Sequence, residues 1–286
     1  MTAIPEQSSR LIIHKANLSS QQLAVIESAF ACLPVKLSGF YILDLTRSIN
    51  QVELDRLRME LRMDINRLPS GYDPDTIRLF VTDMDSTFIN IECIDEIADM
   101  VGVKSEVANI TELAMRGELD FPSALQQRVK CLTGLSSDKL EQVYEQRLRL
   151  NPGADRLLRE LKNQGIKIAL VSGGFSYFTE KLKQRYQLDF ALANHLEINN
   201  NRLTGRVSGP IIDSHAKAAF LLDRCQKMEI NPQQVIAIGD GANDLKMMAV
   251  SGLGIAYHAK QTVQKQADIR FDYRNLDAVC DLITRG

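Results

Sequence analysis

The stretch Leu79-Phe80-Val81-Thr82-Asp83-Met84-Asp85-Ser86-Thr87 decides the fold. Leu79 to Val81 is a short, continuous apolar run bounded by polar residues, the pattern of a buried strand. Ligands of open α/β sheets bind just outside the carboxyl ends of strands, and Asp83 and Asp85 fall there. Two carboxylates one residue apart suit a hard divalent cation such as Mg²⁺, which binds few carboxylates and keeps much of its water. An Asp oxygen is also a nucleophile toward phosphorus, and a second Asp can exchange a proton with the leaving oxygen. Alone, Asp-x-Asp at a strand end is as readily a turn or a helix cap, because Asp accepts nearby backbone N–H bonds.

Three further segments tip that balance. Gly165 to Val171 reads as another buried strand running into Ser172-Gly173-Gly174, which opens a helix from Tyr177 to Tyr186. A hydroxyl and two glycines at a helix start suit a phosphate, since glycine lets the backbone approach and the N–H groups favour an anion. Lys217 lies at the head of a helix running through Lys227. Val235 to Ile238 is a third buried strand, leading into Gly239-Asp240-Gly241-Ala242-Asn243-Asp244 with two more acids and an amide. Singly, each has a plain reading as a loop, a solvated lysine or a capped turn. Their order, three of them directly after apolar strands, is the signal.

On these segments the chain resembles the haloacid dehalogenase superfamily of aspartate-nucleophile phosphatases. The runs DMDSTFINIECIDEIADMVG, AMRGELDF, VSGGF and AIGDGANDL narrow the resemblance to its phosphoserine phosphatase family, over about Ile77 to Leu282. The resemblance implies a Rossmann-like doubly wound parallel sheet with a helical cap and a Mg²⁺-dependent hydrolysis of phosphoserine, the last step of serine biosynthesis. Asp83 would be the nucleophile and Asp85 the acid and base. Asp83, the backbone carbonyl of Asp85, Asp240 and Asp244 would hold Mg²⁺. Ser172, Gly173, Lys217 and Asn243 would bind phosphate. Glu92 and Arg128 would hold the ammonium and carboxylate of the substrate, with Met115, Phe121 and Gly174 lining its pocket.

The physical chemistry of the residues is compatible with these roles. An anionic nucleophile must meet an anionic phosphoryl group, so cations are needed around Asp83. Asp85 must hold a proton well above the ordinary Asp range near 3.9, which crowding and desolvation favour.

Composition bounds the alternatives. The 286 residues allow one large domain with a small one, and a net charge of −2 offers no field for nucleic acid or anionic lipid. No run approaches the roughly 18 apolar residues of a membrane span. The N-terminal segment Met1 to Arg10 lacks a basic region followed by an apolar core, so no secretory signal is expected. Five scattered cysteines with no C-x-x-C pair are expected to be reduced thiols in the cytoplasm. A small-molecule substrate is the partner expected, without nucleic acid or membrane, and with room left for a homodimer.

Two units are expected, a small α+β domain over 1–72 and the phosphatase domain over 73–286. In the first, Leu11 to Ile13 and Phe40 to Leu45 read as strands, and Ser19 to Phe30 and Gln51 to Leu68 as helices. Pro69 to Pro74 is a linker by its turn residues. With no ligand motif in view, this unit reads as a folding or dimerisation appendage in preference to a truncated ACT-type amino-acid-binding domain. An insertion at about 88–150 carries helical periodicity at Ile94, Ile97, Ala98 and Val101, then Val107 onward, then Leu125, Val129 and Leu132 behind an Asp120 cap. It is the expected cap, with Glu92 at its root and Arg128 on the edge of its apolar face. A hairpin is expected around Asn199-Asn200-Asn201, with further core strands at Ile255 and over Asp268 to Phe271.

Rival readings remain within reach of the residues. A dehalogenase has no leaving oxygen to protonate and no use for Asp85, and a transport ATPase would need membrane helices. A phosphatase or phosphotransferase acting on another small phosphoester stays open, as does a binding protein with an inert core.

Overall fold

A computed structural model describes residues 9–284, except for the side chain of Met115. The N-terminal segment in which no leader is expected therefore lies, through residue 8, outside the described residues. The order in the first unit is β1 (Ser9–Ile13), α1 (Ser20–Phe30), β2 (Val35–Lys36), β3 (Tyr41–Leu45), α2 (Gln51–Leu61) and β4 (Ile65–Arg67). This β-α-β-β-α-β chain forms an antiparallel sheet in the order β2-β3-β1-β4, a ferredoxin-like arrangement. Ser19 caps α1 through a reciprocal capping box with Gln22.

The helix expected to reach Leu68 stops at Leu61. Arg62 turns left-handed at φ 48°, and Ile65 to Arg67 then pair with β1. Arg and Glu favour a helix through Leu68, but the unpaired edge of β1 and the buried sites for Met63 and Ile65 override that propensity. The pair Val35–Lys36, which no periodicity marks, is a second strand missed for its shortness.

The catalytic sheet follows. Its strands are β5 (Leu79–Thr82), β6 (Lys167–Phe175), β7 (Phe190–Asn199), β8 (Arg202–Ser208), β9 (Val235–Gly239), β10 (Leu253–Tyr257) and β11 (Ile269–Phe271). They lie in the order β11-β10-β9-β5-β6-β7-β8, all neighbours parallel except β7 with β8. Successive side chains of β5 enter opposite apolar layers, Phe80 into one and Leu79 and Val81 into the other. A strand covered on both faces needs an unbroken apolar run, which is why the pattern was readable. Helices α7 (Ala154–Asn163), α8 (Ser176–Tyr186), α9 (Ser214–Met228), α10 (Leu245–Val250), α11 (Gln261–Gln264) and α12 (Val279–Ile283) complete the layers.

The reversal in strand order beside β5 puts the Asp83 and Asp240 turns at one crevice. Over it stand α3 (Cys93–Met100), α4 (Lys104–Met115), α5 (Phe121–Lys130) and α6 (Asp138–Gln146). A bridge between Ile89 and Leu150 closes the base of this insertion. The hairpin turn is tighter than expected: Asn199 pairs with Arg202, and Asn200 and Asn201 alone turn, at φ 48° and 62°. Its tip is stitched to the cap by Gly134 N–H to the Leu203 carbonyl (2.8 Å) and Leu203 N–H to the Leu135 carbonyl (2.8 Å). The cap is thus held at its root and along the hairpin.

The two units are docked closely. The buried Asp64 accepts from the backbone N–H groups of Asp272 (2.8 Å) and Arg274 (2.8 Å). Asn66 donates to the Arg270 carbonyl and accepts its N–H, both at 3.0 Å, and so covers the open edge of β11. Ile12 and Phe40 enter the catalytic core, while Leu11 and Ile13 face the unit's own helices. Among the described residues no helix is long and apolar enough to cross a membrane.

Candidate active site

Asp83 ends β5 in extended backbone, its N–H still bonded to the Ile238 carbonyl (3.0 Å). The chain then makes a wide turn, closed by Ile89 N–H on the Met84 carbonyl (3.0 Å), in which Ser86 takes the left-handed φ of 57°. That conformation is costly for a residue with a Cβ and needs outside support. Asn151 provides it, donating through Nδ2 to the carbonyls of Thr87 (2.8 Å), Ile89 (3.0 Å) and Ser86 (3.3 Å). Asn151 follows the cap's return point at Leu150, so one amide ties cap root and acid turn together. Sequence reading missed it, because an Asn before a proline reads only as a turn.

Lys217 lies fully buried beneath the acids, its Nζ 2.5 Å from Asp83 Oδ1 and 2.7 Å from Asp244 Oδ1. Asp213 caps its helix, placing Lys217 in the first turn. Burial opposes the ammonium, but Asp244 and Asp83 outweigh it and hold Lys217 charged well above the ordinary lysine range. Asp240, reached by Thr87 Oγ1 at 3.1 Å, is pushed up to about 6 by burial and by Asp244. Asp83 is pushed upward by burial and then by Asp244, with Lys217 pulling it back.

Carboxylate oxygens of Asp83, Asp240 and Asp244 lie within 4.8 Å of one another. Three acids around one ammonium leave an excess of negative charge in a buried place. All three offer hard oxygen ligands, so the donor set fits a divalent cation of the Mg²⁺ class.

The Asp85 side chain points away from this triad. Its Oδ1 accepts the Cys93 N–H (2.8 Å) and its Oδ2 the Ser172 hydroxyl (3.2 Å). Burial raises its pKa, while these bonds restrain the rise. Only the backbone carbonyl of Asp85 is therefore left for the metal role that the resemblance implies. Cys93 serves through its backbone, and its buried thiol is held well above the ordinary range.

The segment Ser172-Gly173-Gly174 corrects the sequence reading. It continues β6 as a bulged strand through Phe175 and is no part of the helix, which begins at Ser176, within one residue of the start expected at Tyr177. The amide of Gly174 donates to Ser172 Oγ at 2.8 Å. A Cβ on Gly174 would stand 2.6 Å from Asp85 Oδ2, so glycine there is a matter of room. The buried Asn194 donates through Nδ2 to the Gly173 carbonyl at 2.8 Å and accepts the Ile212 N–H at 2.8 Å, a second positioning amide that no motif announced.

A cavity of about 130 Å³ opens above these groups, lined on the sheet side by Asp83, Asp85, Ser172, Asp240 and Asn243. The cap supplies Glu92, Ile94, Phe121, Leu125 and Arg128 as the facing wall. Glu92, at the position before α3, is pushed up to about 8 by burial and by Asp85, and it accepts the Ser86 hydroxyl at 2.6 Å. Arg128 is half-buried, and among the described residues no carboxylate forms an ion pair with it. Of the residues expected at the site, Gly173 and Gly174 also line the cavity, and Lys217 and Asp244 lie below it. Met115 ends α4, and its side chain lies outside the described residues.

The haloacid dehalogenase-like hydrolase family model matches residues 80–249. The phosphoserine phosphatase of Polaromonas sp. (strain JS666) is 48% identical over 211 residues, covering 72% of this chain and 89% of that protein. The chain belongs to the phosphoserine phosphatase family of haloacid dehalogenase-like hydrolases. A crystal structure of the probable phosphoserine phosphatase from Vibrio cholerae superposes with a TM-score of 0.83 at 36% identity, over 96% of this chain and 86% of that one. That superposition spans the N-terminal unit as well as the catalytic sheet. A phospho-aspartyl intermediate analogue of a phosphoserine phosphatase superposes with a TM-score of 0.68 at 39% identity, over 73% of this chain and 99% of that one.

Proposed function

We propose that this enzyme hydrolyses phosphoserine to serine and phosphate through a phosphoryl group carried on Asp83, as the last step of serine biosynthesis. One observation carries the reading. Asp83, paired with Lys217 at 2.5 Å, shares a cavity with Asp85 and Ser172, and the cap wall opposite presents Glu92 and Arg128. That wall is a matched pair for the ammonium and carboxylate of an amino acid. The five free cysteines support a reducing compartment, the cytoplasm.

Lys217 occupies one oxygen of Asp83, leaving the other to attack phosphorus in line with the departing seryl oxygen. The P–O(seryl) bond breaks as the Asp83–P bond forms, and Asp85 delivers its proton to the leaving oxygen. Asp85 then takes a proton from water, which attacks phosphorus and releases phosphate and the Asp83 carboxylate. Ser172, the Gly173 amide and Asn243 hold the phosphoryl oxygens. Bound by Asp83, Asp240, Asp244 and the Asp85 carbonyl, Mg²⁺ would supply charge neutralisation at the transferring group.

Asp85→Asn keeps the shape and most hydrogen bonds but removes the proton. Turnover of phosphoserine should fall about 10²–10⁴-fold, the usual worth of general acid–base catalysis. The loss should shrink for p-nitrophenyl phosphate, whose leaving group needs no proton; equal losses would reassign Asp85 to a structural role.

The substrate assignment is tested at Arg128. Truncating one partner of a buried charged pair costs about 2–5 kcal/mol, so Arg128→Ala should lower kcat/KM for phosphoserine roughly 30- to several-thousand-fold. Phosphoethanolamine, which lacks the carboxylate, should be a poor substrate of the wild type and nearly indifferent to the change. Equal losses on both would favour the other reading, a phosphatase or phosphotransferase for a different small phosphoester.

A further inference from the structure

We propose that the cleft between the N-terminal unit and the catalytic sheet is a second anion site, which takes a small phosphate-bearing dianion. A cavity of about 310 Å³ lies there, larger than the active-site cavity. Its lining includes Arg58, Arg67, Lys265 and Arg270, with Asp268 as the single carboxylate among the lining residues. It sits at the β11 edge, separated from β5 by β9 and β10, and is therefore distinct from the catalytic crevice.

The inner wall is preorganised. Arg58 is 3% exposed and fixed by the Ile65 carbonyl (2.6 Å), Asn66 Oδ1 (2.6 Å) and Asp55 (2.9 Å). Arg270 reaches the same Asp55 oxygen at 3.1 Å, so two guanidiniums converge on one carboxylate. Arg270 Nε stands 3.0 Å from Asp272 Oδ2 without hydrogen-bond geometry, leaving a buried N–H unspent. Burial, and then the like charge of Arg270, depresses Arg58 to about 10. The outer wall is exposed Arg67 and Lys265, neither with an acidic partner among the described residues. Asp268 spends an oxygen on the Gly254 N–H at 2.8 Å.

Asp55 and Asp272 already pair with Arg58 and Arg270, so the cations left for a ligand are Arg67 and Lys265, with the unspent Nε–H of Arg270 behind them. Two such cations suit a dianion, and guanidinium forks match phosphate oxygens. Gln51 and Gln264 also line the cavity, their side-chain N–H groups held by Asp55 (2.9 Å) and by the Ala259 carbonyl and Asp272 (both 2.8 Å). Lining residues come from α2, β4 and Pro69 on one side and from the stretch running from the end of α11 into β11 on the other. A ligand there would therefore bridge the two units.

The test uses the full chain, inorganic phosphate as the probe, and the double variant Arg67→Glu/Lys265→Glu. Both positions are exposed and remote from the catalytic crevice, so folding and kcat/KM for phosphoserine should be unchanged. Hydrogen exchange resolves the two sites by location. In the wild type, phosphate should slow exchange at Ile65–Arg67 and Ile269–Phe271 as well as in the active-site turns. In the variant the first effect should require at least about tenfold more phosphate, the second staying as it was. Chloride at matched ionic strength should give neither. No protection at the cleft in the wild type, equal protection in both proteins, or protection reproduced by chloride would each overturn the proposal.

Discussion

Asp83→Asn is expected to lower kcat on phosphoserine by about 10⁵–10⁶-fold, the scale on which removal of a covalent nucleophile acts. The substitution is nearly isosteric, and an amide oxygen can still accept from Lys217, so the fold should survive. What is lost is the oxygen that bonds phosphorus. With it goes the division of one difficult displacement into two in-line steps. The surrounding groups still bind phosphate but have no acceptor for it. Beryllofluoride, which mimics an acyl phosphate, should form a stable adduct with the wild type and none with the variant. Peptide mapping of that adduct should place it on Asp83. Turnover near the wild-type rate, or an adduct on another side chain, would end the covalent mechanism proposed for this enzyme.

The second large effect is expected at Lys217. Removing one member of a buried ion pair leaves its partners charged and unpaired, at a cost of about 3–5 kcal/mol. Here the partners are two carboxylates, at 2.5 and 2.7 Å, with Asp240 close by. Lys217→Met, which keeps most of the volume, should therefore lower stability in urea by about that amount at neutral pH in metal-free buffer. The pH dependence has a definite sign. Asp83 is already raised by burial and by Asp244, and loss of the ammonium raises it further. An acid whose folded pKa is raised contributes stability below its unfolded value and loses it as pH climbs through the folded value. The deficit should thus be smallest in acid and grow toward neutral pH. Added Mg²⁺ should recover more stability in the variant than in the wild type, because the cation replaces the missing charge. A deficit under about 1 kcal/mol that responds to neither pH nor Mg²⁺ would mean that the acids are not held as charged groups.

The same buried charge explains the site's layout. Lys217 cannot be a surface residue of its helix, since its partners are Asp83 in the cavity floor and the fully buried Asp244 below it. Asp244 likewise does not line the cavity, and its Oδ2 takes the Gly241 N–H at 3.1 Å. A Cβ at Gly239 would stand 2.3 Å from that oxygen, so this glycine makes room for the acid five positions on. The triad is a packed unit in which each acid has a fixed neighbour.

By itself the sequence determined the parallel core, the acid turns and the cap. Strands buried on both faces must be apolar throughout, so β5, β6 and β9 stand out, and polar residues at their ends mark the crevice. The cap was legible because α3 and α5 each bury one face, a pattern carried by local spacing alone. The tertiary structure decided what depends on partners distant in sequence. Gln51 to Leu68 has helical composition throughout, yet β1 claims Ile65 to Arg67 as a strand. Ser172 to Gly174 looks like a helix start, but its groups are drawn out along β6 against Asp85 and β7. Asn151 and Asn194 owe their roles to carbonyls and an N–H brought to them by the fold. The convergence of Arg58 with Arg270 is likewise invisible in a chain that separates them by most of its length. Periodicity records how a segment meets water and core, whereas pairing, positioning and charge convergence arise only when remote segments meet.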